Sequence, residues 1–389
     1  MSARPAEQLL RAAECLRSAG VDLGLFATPP NVTYVSGFEA PMPVGYITEV
    51  TGWLPPVALV RASDAAGWLV VPDLLLPAAT NQTWFDRVLP FDTLGHFTPM
   101  DPEGSFRGAL RSALHEAGLG DGPVAVGIEP VLPVVAERVL GESHPGAMTR
   151  DATEAMLEAR AVKTAREIEL LRAVAALADV AQETFVASAG THVGRTDVEL
   201  WSDLVAAMEH RAGRPLTVVG ALMTGVQTAD LWAGGPVGRT IEHGDAGLLD
   251  ISPRLDGYWA DCANPIVFGG PPTAEHRRYA DAAKSAFEAA LAALRPGRRC
   301  CDVHAAASET LERRGLRVEH YTGHQIGVGP NDPPRLVPYD ETMLQAGMVI
   351  AVEPGVYAGR EAPYGARAER MVLVTDDGPE ILTAFPWGL

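Results

Sequence analysis

The chain has 389 residues, of which 47% are hydrophobic and 21% charged, a composition typical of a globular protein with material for two or three domains. Its 49 acidic residues outnumber its 31 lysines and arginines and give a net charge of −18. Such a chain repels nucleic-acid phosphates and anionic lipids, so we expect neither nucleic acid nor a membrane as a partner.

The chain has four cysteines, Cys15, Cys262, Cys300 and Cys301. Four are too few for a disulfide framework in a chain of this length, and their positions do not show the CxxC spacing of a zinc site. The first 20 residues predict an amphipathic helix and lack the continuous apolar run of a secretory leader. The most apolar stretch, residues 67–79, contains Pro72, Asp73 and Pro77 and is too short to cross a bilayer. We therefore expect a soluble, cytoplasmic protein.

Residues 1–150 alternate helical patterns with short apolar runs such as VDLGLFA, PPVALV and GWLVVP. This alternation predicts an α/β domain whose sheet is covered by helices. The chain becomes polar around residues 148–154, and a long helical pattern, EARAVKTAREIELLRAVAALADVAQETFVASA, follows. We interpret this pattern as one helix that forms the hinge, and we place the two domains at 1–150 and 151–389.

The second region begins with helices and then becomes rich in strands, with a further helix predicted at 273–294. The segments AGLLDISP, YWADCANPIVFG, GMVIAVEPGVY and RAERMVLVT have the apolar character of strands and are separated by turn residues. The pattern predicts an α+β domain in which helices pack on one face of an antiparallel sheet.

Two acidic residues flank a predicted hairpin in LLDISPRLDGYWADCANPIVF. Asp256-Gly257 is a strong signal for a type I′ turn, because both central positions of that turn need positive φ. With this turn, Asp250 and Asp261 lie on one face as diagonal neighbours, roughly 7–8 Å apart at the backbone. Their carboxylates can then converge on metal ions about 3.5–4 Å apart. An exposed face with two solvated aspartates would explain the pair, taken alone, equally well.

Three further candidate ligands lie downstream: His324 in a glycine-rich turn, Glu353 at the end of an apolar strand, and Glu369 in another strand. Taken alone, His324 is typical of a histidine that makes a structural hydrogen bond. Taken alone, Glu353 and Glu369 are each typical of a surface residue at the end of a strand. Four carboxylates and one imidazole together suit two divalent ions, Mn²⁺ first, with Co²⁺, Fe²⁺ or Zn²⁺ as alternatives.

With these residues the sequence resembles the metallopeptidase family of the pita-bread fold, which includes methionine aminopeptidase, prolidase, aminopeptidase P and the relative creatinase. The resemblance rests on the Asp-x10-Asp pair, GHQIG, VEPGVY and RAE, which contain all five candidate ligands. It also includes NVTYVSGF, residues 31–38, which is similar to the N-terminal domain of the two-domain members. The resemblance implies a pita-bread α+β C-terminal domain, preceded by a smaller α/β creatinase-type domain. Creatinase itself fits poorly, because it works without metal.

The resemblance also implies roles for the ligands. Asp261 and Glu369 would bridge two metal ions, Asp250 would chelate one ion, and His324 and Glu353 would bind the other. Glu353 would in addition shuttle a proton during hydrolysis.

Two residues next to the ligands also match the family. Arg367 would hold Glu369 or the substrate through its planar guanidinium. His320 would help to bind the substrate and to stabilise the tetrahedral intermediate.

Two departures from the peptidase pattern concern the surrounding histidines. Asn331 occupies the position of one histidine, and an amide cannot transfer a proton near pH 7. The region of another histidine reads TADLWAGGPVGRT, where Trp232 could shape an apolar substrate pocket or be ordinary core. These departures are compatible with drift within peptidases and with altered chemistry.

We therefore predict an enzyme that hydrolyses a C–N bond in a small peptide or amide, such as an Xaa-Pro dipeptide. A lyase or tailoring enzyme acting on a small metabolite is the alternative, and a non-catalytic binding module is disfavoured because no ligand is lost. The two-domain relatives imply a homodimer in which the neighbour's N-terminal domain reaches the active site.

Overall fold

The computed structural model describes residues 6–42, 49–95, 97, 99–118, 123–230, 235–359, 362 and 364–389. The chain divides into two compact units, Met1–Ala161 and Val162–Leu389. Within the described residues, no helix is long and apolar enough to span a lipid bilayer.

The first unit contains a six-stranded mixed sheet with strand order β4-β3-β2-β1-β5-β6. Its strands are β1 Leu23–Phe26, β2 Val57–Arg61, β3 Ala66–Pro72, β4 Arg87–Phe91, β5 Val124–Ile128 and β6 Ala147–Asp151. Its helices are α1 Glu7–Ser18, α2 Pro29–Ser36, α3 Leu76–Gln82, α4 Pro102–Glu116, α5 Val134–Ser143 and α6 Thr153–Ala161. The apolar residues of the strands pack against α4 and α5, where Phe91 and Phe106 meet edge to face at 5.2 Å. The predicted α/β domain is confirmed.

Helix α2 carries most of the NVTYVSGF segment, and a buried carboxylate fixes its start. Glu129 accepts hydrogen bonds from the backbone N–H of Ala27 at 2.6 Å and of Thr28 at 2.9 Å. It also accepts one from the side-chain amide of Asn31 at 2.7 Å. A negative charge beside a helix N-terminus is stabilised by the exposed N–H groups and the helix dipole.

The second unit is built on two antiparallel sheets, with orders β10-β8-β7 and β12-β11-β13-β16-β17, and β9 pairs with β8. The strands are β7 Thr217–Thr224, β8 Ala246–Leu255, β9 Tyr258–Trp259, β10 Cys262–Val267, β11 Gly323–Gln325, β12 Asp332–Arg335, β13 Val349–Val352, β14 Gly355–Tyr357, β15 Gly365–Arg367, β16 Arg370–Thr375 and β17 Gly378–Ile381. Strands β14 and β15 form a separate hairpin. The helices are α7 Ala165–Ser188, α8 Asp197–Ala212, α9 Ala274–Ala293 and α10 Cys300–Glu312. The predicted α+β class is confirmed.

The long helix predicted after Ala155 is in fact two helices, α6 and α7, separated by residues 162–164. The break has a local cause that the apolar pattern hides. Thr164 Oγ1 accepts from the backbone N–H of Glu167, while the Glu167 carboxylate accepts from the backbone N–H of Thr164. This reciprocal capping box is a helix start, so α7 begins here rather than continuing from α6.

Candidate metal centre

The hairpin that carries the two aspartates has the predicted register. Asp250 in β8 faces Ala263 in β10. The turn residues Asp256 and Gly257 have φ of 49° and 84°, as a type I′ turn requires. Ser252 donates a hydrogen bond of 2.8 Å to Asp261 Oδ1, so these two side chains share a face. The local turn geometry therefore determines which face of the sheet carries Asp250 and Asp261.

The other three candidate ligands share one face of the second sheet. His324 in β11 faces Ala351 in β13, and Ala351 faces Met371 in β16. Glu353 lies two residues after Ala351, and Glu369 two residues before Met371. Because side chains alternate between faces with a period of two, both glutamates point to the same side as His324.

The structure brings Asp261, His324 and Glu369 together, with one potential ligand atom from each lying within 4.8 Å of the others. Glu353 adjoins this group, since its Oε1 is 3.3 Å from His324 Nε2. Asp250 is instead ion-paired with Arg367, whose Nη1 also lies 3.7 Å from Glu353 Oε2. Arg367, which the resemblance offered as a partner of Glu369 or of the substrate, thus forms its ion pairs with Asp250 and Glu353.

The clustered carboxylates at this site favour the binding of a cation. Glu369 is 1% exposed, and among the described residues its Oε2 has no hydrogen-bond partner. Burial and the neighbouring carboxylates of Asp261, Glu353 and Asp250 raise its pKa well above the usual value. Burial also raises the pKa of Asp250 to about 7, although Arg367 opposes the shift. A buried oxygen without a partner, among clustered carboxylates, fits a bound divalent ion.

His324 responds to the same charges in the opposite direction. Burial lowers its pKa, but the Asp261 and Glu353 carboxylates outweigh this effect and raise the pKa to about 10. The imidazole is therefore protonated near pH 7 without a metal ion, and an ion bound by His324 would compete with that proton. Imidazole and carboxylates together are the donor set of Mn²⁺, Fe²⁺, Co²⁺ and Zn²⁺, so these residues fit such an ion.

His320 belongs to a short hydrogen-bonded chain beside this group. Its Nδ1 lies 2.7 Å from the Tyr321 carbonyl oxygen. Because a carbonyl only accepts, Nδ1 carries the proton and Nε2 accepts from Tyr357 Oη at 3.2 Å. Tyr357 in turn accepts from Arg367 Nε at 3.0 Å. Burial and the nearby Arg367 charge lower the pKa of His320 to about 4, so this imidazole is neutral near pH 7.

Tyr357 was not predicted as a site residue, although it closes the VEPGVY segment. Arg335 was missed as well, and its position follows from strand register. Arg335 in β12 directly faces His324 in β11, so it lies at the edge of the same site. Only the pairing of these two strands, which the sequence did not reveal, could have identified it.

Asn331 forms hydrogen bonds with Tyr321 and Arg335 at the edge of the site. Its Nδ2 donates to Tyr321 Oη at 3.0 Å, and its Oδ1 accepts from Arg335 Nε and Nη2 at 3.1 and 3.0 Å. The side-chain oxygen of Asn331 therefore holds the Arg335 guanidinium in place by accepting two hydrogen bonds from it. A protonated ring nitrogen of histidine could not accept these hydrogen bonds. Trp232, the other departure, lies outside the described residues.

Residues 169–376, more than half of the chain, match the model of metallopeptidase family M24. The chain belongs to metallopeptidase family M24. The predictions of a metallopeptidase-type enzyme and of the pita-bread fold are confirmed, and the protein is a metal-dependent hydrolase of peptide bonds. The alternative of a lyase or tailoring enzyme is not favoured.

The M24 match extends into full-length similarity. An Xaa-Pro dipeptidase from Pyrococcus horikoshii is 26% identical over 382 residues, 97% of each chain. The crystal structure of dipeptidase PepE from Mycobacterium ulcerans has a TM-score of 0.77 and 25% identity, covering 98% of this chain and 96% of that one. The prolidase structure from P. horikoshii OT3 shares the fold, with a TM-score of 0.79 at 23% identity and coverage of 99% and 100%.

Proposed function

We propose that this M24 enzyme is a dipeptidase that cleaves Xaa-Pro dipeptides with two divalent metal ions. The observation that carries the metal site is the convergence of Asp261, His324 and Glu369, together with the buried Oε2 of Glu369, which has no hydrogen-bond partner in the part of the chain that the structure describes. The full-length similarity to an Xaa-Pro dipeptidase supports the substrate class.

In this proposal, the residues that would hold the two ions are Asp250, Asp261, His324, Glu353 and Glu369. When bound, such ions lower the pKa of a water molecule and polarise the substrate carbonyl. Mn²⁺ is the proposed native metal, since oxygen-rich sites with a single imidazole suit it.

Glu353 is the proposed general base. Burial would raise its pKa, but His324 and Arg367 outweigh this and lower it, so the carboxylate is ionised. It can accept a proton from the attacking water and pass it to the leaving amine. Arg367 holds Asp250 and Glu353 in place through its ion pairs.

His320 contacts the substrate in this proposal. Its neutral, Nδ1-protonated form has one acceptor lone pair, on Nε2, and in the structure this lone pair accepts from Tyr357 Oη. A hydrogen-bond donor of the substrate would therefore take the place of Tyr357 at that atom. Stabilising an oxyanion, the role implied by the resemblance, would require a proton on Nε2. Asn331 replaces a second histidine and leaves proton transfer to Glu353.

Arg335 supports a dipeptide as the substrate. Its guanidinium is oriented by Asn331 and faces the strand of His324, and a planar guanidinium suits a carboxylate. A dipeptide places its free carboxylate close to the scissile bond. Trp232 remains a proposed contact for the substrate ring, which a stacked aromatic side chain would suit.

A homodimer in the cytoplasm completes the proposal, since the two-domain relatives imply that a neighbour's N-terminal domain reaches the active site. Analytical ultracentrifugation of the purified protein measures this directly. A monomer at micromolar concentration would contradict the dimer and leave the chemistry intact.

The deciding experiment measures proline release from a panel of Xaa-Pro dipeptides by protein loaded with Mn²⁺. We expect hydrolysis by the wild type and a loss of at least about 100-fold in kcat/KM for Glu369→Gln, because a metal ligand is removed. Glu341→Gln, an exposed glutamate outside the site, serves as the control and should match the wild type. Metal-loaded protein that releases no proline from any of these dipeptides would contradict the Xaa-Pro assignment.

A further inference from the structure

Gln182, in the C-terminal half of α7, has a fully buried side chain behind the hairpin that carries Asp250 and Asp261. Its Nε2 lies 3.0 Å from the Cys262 carbonyl oxygen and 3.3 Å from the Leu249 carbonyl oxygen. One amide group thus reaches two neighbouring strands at once, β8 and β10.

The two carbonyls lie next to the candidate metal ligands. Leu249 directly precedes Asp250, and Cys262 directly follows Asp261. Strand β9 ends at Trp259 and β10 begins at Cys262, so Asp261 lies in the short link between them, where the Ala260 N–H donates to the Pro253 carbonyl oxygen at 3.0 Å. The contact with Gln182 adds a second hold on this segment, at the residue that follows Asp261.

The orientation of the Gln182 amide follows from its neighbours. Two carbonyl oxygens can only accept, so the amide must direct its NH₂ group towards them. The opposite orientation would place Oε1 against both oxygens. The remaining oxygen, Oε1, is buried and has no hydrogen-bond partner among the residues that the structure describes.

This unpaired oxygen offsets part of the stability that the two donated hydrogen bonds contribute. A buried polar atom without a partner carries a desolvation penalty that an apolar side chain of the same length would avoid. Methionine has that length and would fill the same space without a polar group. The two donated hydrogen bonds are therefore what distinguishes glutamine from methionine at this position.

We propose that Gln182 is a positioning residue for the metal centre. Its NH₂ group joins the backbones beside Asp250 and Asp261 and holds the two carboxylates, which repel each other, at the separation that a pair of metal ions needs. This inference rests on the proposed metal site. It assigns to α7 a part in metal binding, although no residue of that helix is a proposed ligand.

The test measures Mn²⁺ affinity by isothermal titration calorimetry on metal-free protein, together with the melting temperature of that protein. Gln182→Met should bind Mn²⁺ about 10-fold or more weakly, since residues that orient metal ligands typically have effects of this size. Its melting temperature without metal should stay close to that of the wild type, because the removal of the unpaired oxygen offsets the loss of the two hydrogen bonds. Gln8→Met, at another buried glutamine in the first unit, is the matched control and should bind Mn²⁺ like the wild type.

Equal Mn²⁺ affinity in Gln182→Met and the wild type would overturn the role of Gln182 and leave the proposed function standing. A wild type that takes up no Mn²⁺, Co²⁺, Fe²⁺ or Zn²⁺ would overturn both. Gln182→Asn, whose amide is one methylene too short, provides a second variant should the methionine variant not fold. It is expected to show the same weakening, and wild-type affinity in it would equally overturn the proposal.

Discussion

At the scale of single residues, the absence of a side chain at Gly355 allows His320 and Tyr357 to approach each other in the site. His320 Nε2 and Tyr357 Oη meet beside Gly355. A Cβ atom at Gly355 would lie 2.5 Å from Tyr357 Oη and 2.6 Å from His320 Nε2, well inside van der Waals contact. Both side chains are packed against other groups of the site, so they have little room to move away.

Gly355→Ala is therefore expected to displace His320 and Tyr357 and to lower kcat about 10-fold or more, since small misplacements in a site have large effects. Steady-state kinetics on an Xaa-Pro dipeptide would measure this. Gly190→Ala, where an added Cβ meets no atom within 4 Å, is the control. Unchanged kcat in Gly355→Ala would show that the His320–Tyr357 contact is not needed for turnover.

Single residues also show which parts of the hairpin and of the site could be predicted from the sequence. Asp256 and Gly257 identified the turn, because positive φ at two successive positions restricts the residue types. The alternation of side chains then predicted correctly that Asp250 faces Ala263. Arg367 was recognised from its motif, but its ion pair with Asp250 joins residues 117 positions apart and depends on how β8 and β15 pack.

At the scale of elements, the start of α7 was the clearest error of the sequence interpretation. A single apolar periodicity runs through residues 158–189, whereas the capping box at Thr164 and Glu167 divides it. Periodicity reports which face of a helix is buried, and two successive helices can bury similar faces. Capping residues report where a helix begins, and Thr-x-x-Glu was present in the sequence.

Thr164→Ala removes the hydroxyl that accepts from the backbone N–H of Glu167 and should lower the free energy of unfolding by about 1 kcal/mol. Thr164→Ser keeps the hydroxyl and should stay within about 0.5 kcal/mol of the wild type. Urea denaturation followed by circular dichroism would compare the three proteins. Equal losses in both variants would assign the effect to packing of the threonine methyl group rather than to the cap.

At the scale of the whole molecule, the metal ion links protonation, binding and stability. Without metal, His324 has a pKa of about 10 and holds a proton near pH 7, and the pKa of Glu369 is raised well above its usual value by burial and by the neighbouring carboxylates. A metal ion competes with protons for these two side chains. Lowering the pH favours the protonated site, so metal affinity falls as the pH falls and rises as the pH rises.

We expect Mn²⁺ to raise the melting temperature, and to raise it more at pH 8 than at pH 6. At a free concentration 100 times the dissociation constant, a ligand that binds only the folded state adds about 2.7 kcal/mol of stability. Differential scanning fluorimetry with Mn²⁺ or EDTA at both pH values measures the effect. Glu369→Gln should respond little to Mn²⁺, and a larger stabilisation at pH 6 than at pH 8 would contradict the proton competition.

The sequence by itself determined the family, the antiparallel hairpin with its turn, and the five candidate metal ligands. These features follow from short motifs, from the period of two along a strand and from the φ values that a turn demands, all of which depend on neighbours along the chain. Only the tertiary structure decided that Arg367 pairs with Asp250, that Asn331 orients Arg335 opposite His324, and that Gln182 supports the hairpin from α7. Those contacts join distant segments whose separation is set by how sheets and helices pack, and no local pattern encodes that distance.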